Sequence, residues 1–394
     1  MKIAEFTDSF IPIVDGVGRV VENYANHLAD KGHEVYVMAP MTDTGYRGGL
    51  KYDLVDFQGM RVVGQPYKLG LPLLDSHFLM RMNNIRPEII HAHSPFTAGQ
   101  LAYKYASRRR IPLVGTFHSK YKDDFRQAMK LEMLAEVGTK IVVDFYDKCD
   151  EVWAVSETSA ETLKRYGYRK KIIVMPNGAD DQPIDLKNKM IAAEKYSLGR
   201  ETSFLFVGQQ NWKKNIERIL MAAQVLNQKN IPFKLIMTGQ GPHSNEIMQK
   251  ARLLGLEDKM VYTGHILDPE LLSGIYQCAD LFVFPSLYDT SALVVREAAI
   301  NGTASVTIRN SGAGESIIDG KNGFLCDNTT ESLAKVMEYA AMNHQELERI
   351  GMEAKRTIPI GWDSLMDDVL ERYEQLIDRR KPRKLGYISL ALKK

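Results

Sequence analysis

The chain has 394 residues, 44% of them hydrophobic and 25% charged, which is ordinary globular composition. At roughly 100 to 200 residues per domain, that length predicts two domains rather than one core. Its 51 Lys and Arg stand against 49 Asp and Glu, and a net charge of +2 excludes the broadly basic surface of a nucleic-acid-binding protein.

The chain opens as strand, loop and helix: KIAEFT, then DSFIPIVDG, then VGRVVENYANHLADKG. In that helix Val17, Val20, Val21, Tyr24, Ala25, Leu28 and Ala29 recur on one face, and Gly32 is a natural stop. The strand EVYVMAP follows at once and completes a βαβ unit. The pattern recurs through EIIHAHSP, IPLVGTFHS, EVWAVS and KIIVMPNGAD, then restarts at SFLFVGQQN and runs through FKLIMTGQG, KMVYTGH, LFVFPS and ASVTIRN. Strands alternating with helices predict parallel sheets covered on both faces, and two such series predict two doubly wound α/β domains. The polar stretch DDQPIDLKNKMIAAEKYSLGR between them has no strand, and the final helix WDSLMDDVLERYEQLIDRR is followed by none. The domains expected are residues 1–172, with a C-terminal helix at 361–378 packing back on them, and residues 173–360, followed by a basic tail at 379–394.

Cys149, Cys278 and Cys326 stand far apart and odd in number, so they read as reduced thiols of a cytoplasmic protein. MKIAEFTDSF lacks the apolar core of a signal peptide, and no window approaches the ~18 apolar residues of a membrane span. Any membrane contact is therefore expected to be peripheral.

Open parallel sheets bind ligands beyond the carboxyl ends of their strands. Gly16 and Gly18, His91 and His93, His118, Asn177 and Asp180, Gly208 to Lys214, Gly239 and Gly241, and Asp289 all fall there. Gly16 and Gly18 lead into a helix N-terminus that suits a phosphate, or form a tight turn without a ligand. Val21 replaces the third glycine of a dinucleotide fingerprint, and Ala39-Pro40 stands where its acid belongs, which argues against NAD. Lys213 and Lys214 in VGQQNWKKN are either a grip for a diphosphate or a solvated helix start. In PSLYDTSALVVREAA, Asp289 or Thr290 is expected to cap a helix that runs from Leu293 to Asn301. Asp289 and Glu297 would then lie about 12 Å apart along that helix, too far to share one small group but suited to the two ends of an extended ligand. The N–H groups of Ser291, Ala292 and Leu293 would face an anionic middle.

The run PSLYDTSALVVREAAINGTASV resembles the signature of the GT-B retaining glycosyltransferases of family four. VGQQNWKKN, MTGQGP, VYTGHI, GAGESIIDGKNGFL and PNGAD match further motifs, and FTDSFIPIVDGVGRVVENYANHLADKGHEVYVMAP matches the donor loop and first βαβ unit. The resemblance spans most of residues 1–378. It implies a GT-B fold, two Rossmann-like domains facing a central cleft, and retaining transfer of a hexose from a nucleotide-sugar, with UDP-sugar the leading donor and no metal or other cofactor. Glu297 would bind the ribose hydroxyls, and Asp289 would face the donor sugar. The turn from Ser291 through Ala292 to Leu293, the Gly16 loop, Gln209 and Lys214 would hold the diphosphate. Gly264, His265 and Ile266 would carry the base, and His118 would sit by the sugar on the acceptor side. The chain departs from the pattern in three places: Gln209 replaces an arginine, Asp289 a glutamate, and Thr290-Ser291-Ala292 a Gly-Phe-Gly.

FTDSFIPIVDGV and TFHSKYKDDF look most like bacterial diacylglycerol glucosyltransferases, so the resemblance makes a membrane lipid the leading acceptor and a soluble sugar or polysaccharide carrier the alternative. A nucleotide-sugar epimerase and a binding subunit without chemistry are the competing functions. Between Arg86 and Lys130 nine basic residues face three acids, and the tail is basic and apolar. Either these are solvated faces or they attach a cytoplasmic enzyme peripherally to anionic lipid on the inner face of the cell membrane.

Overall fold

A computed structural model describes residues 1–10, 16–40, 49–61, 68–129, 132–199 and 201–380, leaving aside the side chains of residues 61, 68, 69, 124, 127–129, 132 and 134. Lys130 and the tail beyond Arg380 lie outside the described residues. Two compact units emerge. One comprises Met1–Thr116, Asp144–Val152 and the chain from Leu365, and the other Phe117–Val143 and Trp153–Ser364.

One seven-stranded sheet is built from β1 (Lys2–Phe6), β2 (Glu34–Pro40), β3 (Asp53–Phe57), β6 (Ile89–Ala92), β7 (Leu113–Phe117), β8 (Glu151–Ala154) and β9 (Ile173–Val174), in the order β3-β2-β1-β6-β7-β8-β9. A separate antiparallel pair joins β4 (Gly59–Arg61) to β5 (Lys68–Gly70). The six-stranded sheet of the second unit contains β10 (Thr202–Val207), β11 (Phe233–Thr238), β12 (Met260–Gly264), β13 (Leu281–Phe284), β14 (Ser305–Ile308) and β15 (Phe324–Cys326), in the order β12-β11-β10-β13-β14-β15. Its neighbouring strands pair in parallel. The chain is therefore α/β with two doubly wound parallel sheets, as expected.

The local reasons are those of buried parallel strands. β10 and β13 are buried along their whole length because helices cover both faces of the sheet. The first helix, Gly16–Asp30, buries Val20, Val21, Tyr24, Ala25 and Leu28 against β2, and Gly32 ends it with φ at 84°. In the second unit Ile216, Ile219, Leu220 and Ala223 do the same from the helix Ile216–Gln228, each fully buried Ile or Leu contributing about 1.5–3 kcal/mol. The last helix, Trp362–Arg380, starts where the Asp180 carboxylate accepts from Trp362 N. Further along, it buries Leu365, Met366, Val369, Tyr373 and Leu376.

Both sheets reverse strand order beside their first strand, β1 against β6 and β10 against β13. At such a point the connections before and after leave by opposite faces, so a crevice opens between the two loops. In the second sheet those loops follow β10 and β13.

Candidate active site

The loop after β10 folds as a short 3-10 turn, Trp212–Lys214, whose N-cap Asn211 accepts from Lys213 N. That turn directs Lys214 towards the loop after β13, where its Nζ meets Asp289 Oδ1 at 2.6 Å. The second carboxylate oxygen of Asp289 is buried and accepts no hydrogen bond among the described residues. A buried acceptor without a donor costs about 1–3 kcal/mol, a deficit that a ligand hydroxyl or N–H would remove.

Ser286 shapes the approach to Asp289, its Oγ accepting from Tyr288 N at 3.3 Å and Asp289 N at 3.4 Å. The helix that follows is Leu293–Ile300, with Ala292 at its N-cap and no side-chain cap. The expectation that Asp289 or Thr290 caps this helix is thus corrected. Asp289 turns to Lys214 instead, and the Thr290 hydroxyl donates to the carbonyl of His118. Uncapped, the first N–H groups of the helix have no intrahelical acceptor, and those of Ser291, Ala292 and Leu293 stand at that end.

The departures from the family signature acquire a structural account here. Thr290 ties the turn to His118, Ser156 Oγ donates to Thr290 O at 2.6 Å, and Asn177 Nδ2 donates to Ser291 Oγ at 3.3 Å. The Thr290 and Ser291 hydroxyls thus hold the turn by bonds that Gly and Phe side chains could not make, while the Ser156 bond goes to a backbone carbonyl. Beneath it lies Gly312, where a Cβ would fall 2.5 Å from Thr290 O and 2.6 Å from Asp289 O. Glu315, from the same GAGES segment, accepts from Glu157 N at 2.6 Å and Thr158 N at 3.1 Å. A cavity of about 150 Å³ opens beside Ser291 and Ala292, lined also by Ser156, Arg296 and Glu315.

Glu297 stands apart from Asp289, its Oε2 accepting from Tyr276 OH at 2.9 Å. Gly264, His265 and Ile266 follow at the end of β12, with His265 exposed. Gly239 N donates to Gly264 O at 2.8 Å, which binds the ends of β11 and β12 together. Gly239 has φ at 115°, and a Cβ there would come within 2.1 Å of Gly208 O, so glycine is required. Gln209 is exposed between Gly208 and the buried Gln210, and among the described residues it makes no bond to Lys214 or Asp289.

The second unit therefore brings Lys214, Asp289, the Thr290–Leu293 turn and His118 together, with Glu297 and the Gly264–Ile266 loop as further groups. Gly16 belongs to the first unit, where it opens the helix Gly16–Asp30 in open space. Residues 11–15 before it lie outside the described residues.

His91 and His93 are not ligand-edge residues. Both are wholly buried, His91 between Tyr373 OH and Thr116 Oγ1 at 2.6 Å each, and His93 Nε2 at 2.7 Å from Glu5 Oε2. Among the described residues Glu5, His91 and His93 form the one group with ligand atoms close enough for a metal ion, but these atoms already bond one another and their neighbours. Tyr276 and Lys120 enter the site picture from the fold alone, and the fold gives Asn177 its partner, Ser291. Tyr276 carries no sequence signal, Asn177 showed only as a strand-edge residue, and Lys120 counted as one of the surface basic residues.

Two family models match the chain, Glycosyltransferase Family 4 over residues 14–182 and Glycosyl transferases group 1 over residues 190–357. The chain belongs to the GT-B glycosyltransferases of family four and is a glycosyltransferase with a nucleotide-sugar donor. It is similar to the alpha-monoglucosyldiacylglycerol synthase of Streptococcus pneumoniae, 27% identical over 327 residues that cover 79% of this chain and 71% of that one. It is also similar to the GDP-mannose-dependent alpha-mannosyltransferase of Corynebacterium glutamicum, 25% identical over 390 residues, 96% of this chain and 89% of that one. Its fold matches that of Anabaena HepE in complex with UDP-glucose, with a TM-score of 0.76 at 18% identity over 95% of this chain and 100% of that chain.

Proposed function

We propose that this glycosyltransferase moves a hexose from a UDP-sugar, with retention at the anomeric carbon, to a hydroxyl of a membrane lipid such as diacylglycerol. The observation that carries the reading is the Lys214–Asp289 pair at the strand-order reversal, with a buried carboxylate oxygen still in need of a donor. Asp289 takes a sugar hydroxyl on that oxygen. Glu297 holds the ribose hydroxyls from its Tyr276-fixed position. The N–H groups of Ser291, Ala292 and Leu293, with Gln209 and Lys214, hold the diphosphate, and Gly264, His265 and Ile266 carry the base.

The bond from C1 to the phosphate oxygen breaks and the bond from C1 to the acceptor oxygen forms on the same face. The acceptor proton passes to the departing phosphate oxygen. Charge develops on the diphosphate, so preorganised N–H groups and Lys214 stabilise the transition state more than the ground state. The sugar becomes oxocarbenium-like, and His118 beside it helps to position the acceptor.

The likeness to a glucolipid synthase supports the lipid acceptor. Surface chemistry adds to it: among the described residues no helix is long and apolar enough to cross a membrane, yet Leu73 and Leu74 are 60% and 76% exposed. They line a groove with Lys104, on a helix that ends in Arg108 and Arg109. Such a surface suits peripheral attachment to the inner face of the cell membrane. The likeness to mannosyltransferases favours a second reading, a GDP-mannose donor with a soluble or carrier-borne acceptor.

Incubation with UDP-glucose, UDP-galactose or GDP-mannose, each with diacylglycerol vesicles or soluble sugars, separates these readings by product mass and anomeric NMR. An α-linked glycolipid made from a UDP-sugar is expected. Transfer only to soluble sugars, or inversion at C1, would overturn the proposal.

A further inference from the structure

In the signature of this family an arginine stands where this chain has Gln209, and of the two lysines that follow β10, Lys214 is already paired with Asp289 and Lys213 lies over the Tyr288 ring. The loops after β10 and β13 therefore offer a diphosphate less positive charge than the family pattern does. A cation from elsewhere in the second unit stands beside them. We propose that Lys120 is a donor-binding residue, whose ammonium completes the set of cations that takes the diphosphate of the nucleotide-sugar. The inference rests on the nucleotide-sugar reading of the Asp289 turn and adds a residue to it.

The placement of Lys120 is fixed twice. Residues 118–120 run beside residues 287–290, joined by the Thr290 hydroxyl donating to His118 O and by Lys120 Nζ donating to Leu287 O at 2.5 Å. The second bond uses one of three ammonium N–H groups, so two donors remain for a ligand. Among the described residues no carboxylate comes within ion-pair distance of Lys120, and its nearest fixed partner is a neutral carbonyl.

Burial lowers the Lys120 pKa, the field of Arg165 adds to this, and the fields of Asp123 and Asp289 oppose it. A cation partly withdrawn from water and lacking a counter-ion gains most from an anion that arrives with the substrate. Lys213 lies nearby, its Nζ 4.9 Å from the centre of the Tyr288 ring. Around the turn, Lys214 already pairs the Asp289 carboxylate, which leaves the Lys120 charge, opposed only by the fields of Asp123 and Asp289, for a ligand. That charge suits a diphosphate diester, in which each phosphorus bears a negative charge.

The alternative for Lys120 is a structural tie between two segments. Lys120→Met keeps the apolar stem and removes the charge, and Lys120→Arg keeps the charge. Both variants and the wild type, as full chains, are titrated calorimetrically with UDP and with uridine. Lys120→Met is expected to weaken UDP binding about tenfold without changing uridine binding, and Lys120→Arg to stay within about threefold of wild type. Unchanged UDP affinity in Lys120→Met overturns the inference. So does an equal loss for UDP and uridine, or a loss in Lys120→Arg as large as in Lys120→Met. If the wild type binds GDP in place of UDP, the same comparison is made with GDP and guanosine. If it binds neither diphosphate, the nucleotide-sugar reading falls with the inference, whereas a wild type that binds and an indifferent Lys120→Met sink the inference alone.

Discussion

Replacing Glu5 by Gln should flatten the loss of stability that the wild type suffers above neutral pH. Glu5 lies in the middle of β1, wholly buried, with Oε2 at 2.7 Å from His93 Nε2 and Oε1 at 3.4 Å from the Tyr373 hydroxyl. Burial raises its carboxyl pKa from 4.5 to about 8, partly offset by the Tyr373 bond. Burial also lowers His93 from 6.5 to about 3, so near neutrality the pair is uncharged and shares one proton across the contact. A raised acid carries a proton that the unfolded chain has lost, so its contribution declines as pH rises from 4.5 to about 8. A depressed histidine acts in the other direction, and its contribution declines as pH falls from 6.5 to about 3.

The two slopes cancel between pH 4.5 and 6.5, leaving a plateau, and only the Glu5 slope remains above it. At about 1.36 kcal/mol per pH unit, the wild type loses about 2 kcal/mol between pH 6.5 and about 8. That corresponds to a fall in Tm of roughly 4–8 °C for a unit of this size. Gln is isosteric with the protonated acid and can donate its amide N–H to His93, so Glu5→Gln should fold without that slope. Urea unfolding of both proteins at about pH 6.5 and about pH 8.5 checks this. Equal losses in the two proteins, or a wild type that gains stability over the interval, would refute the reasoning.

Glu297→Ala should weaken UDP binding by about tenfold to a hundredfold, and Asp289→Ala should mainly lower kcat. Calorimetry beside steady-state kinetics separates the two, and equal small effects would dissolve the division of labour. Tyr276→Phe removes the donor held 2.9 Å from Glu297 Oε2 and should raise the UDP Kd by less than Glu297→Ala does, about threefold to tenfold. Gly312→Ala places a methyl 2.5 Å from Thr290 O, so the turn must move, and kcat should fall at least tenfold with a measurable drop in Tm. A wild-type kcat in that variant would show that the turn tolerates displacement.

Most strands were legible because buried parallel strands are apolar runs, and EVYVMAP matches β2 residue for residue. β3 escaped notice because Asp53 and Asp56 interrupt it at exposed or half-buried positions of an edge strand. β15 has only three residues, Phe324–Cys326, too few for a periodic signal. In the site, the motif residues were legible as types, but their partners were not. Asp289 as a helix cap was a reasonable local reading, and a lysine 75 positions earlier in sequence overrode it. His91 and His93 sat at the end of an apolar run and looked available, yet Glu5 from β1 and Tyr373 from the last helix enclose them.

By itself the sequence determined the alternation of strands and helices, the apolar faces, the glycines at tight approaches and the motifs that place the chain in its family. These depend on residues close in the chain, whose periodicity and turn chemistry act locally. Only the tertiary structure decided which oxygen of Asp289 is left without a donor, which partners hold Thr290 and Ser291 where glycine and phenylalanine are usual, and that Lys120 reaches the Asp289 turn. Those outcomes depend on groups tens to hundreds of residues apart, and parallel sheet order, not local preference, brings such groups within a hydrogen bond of one another.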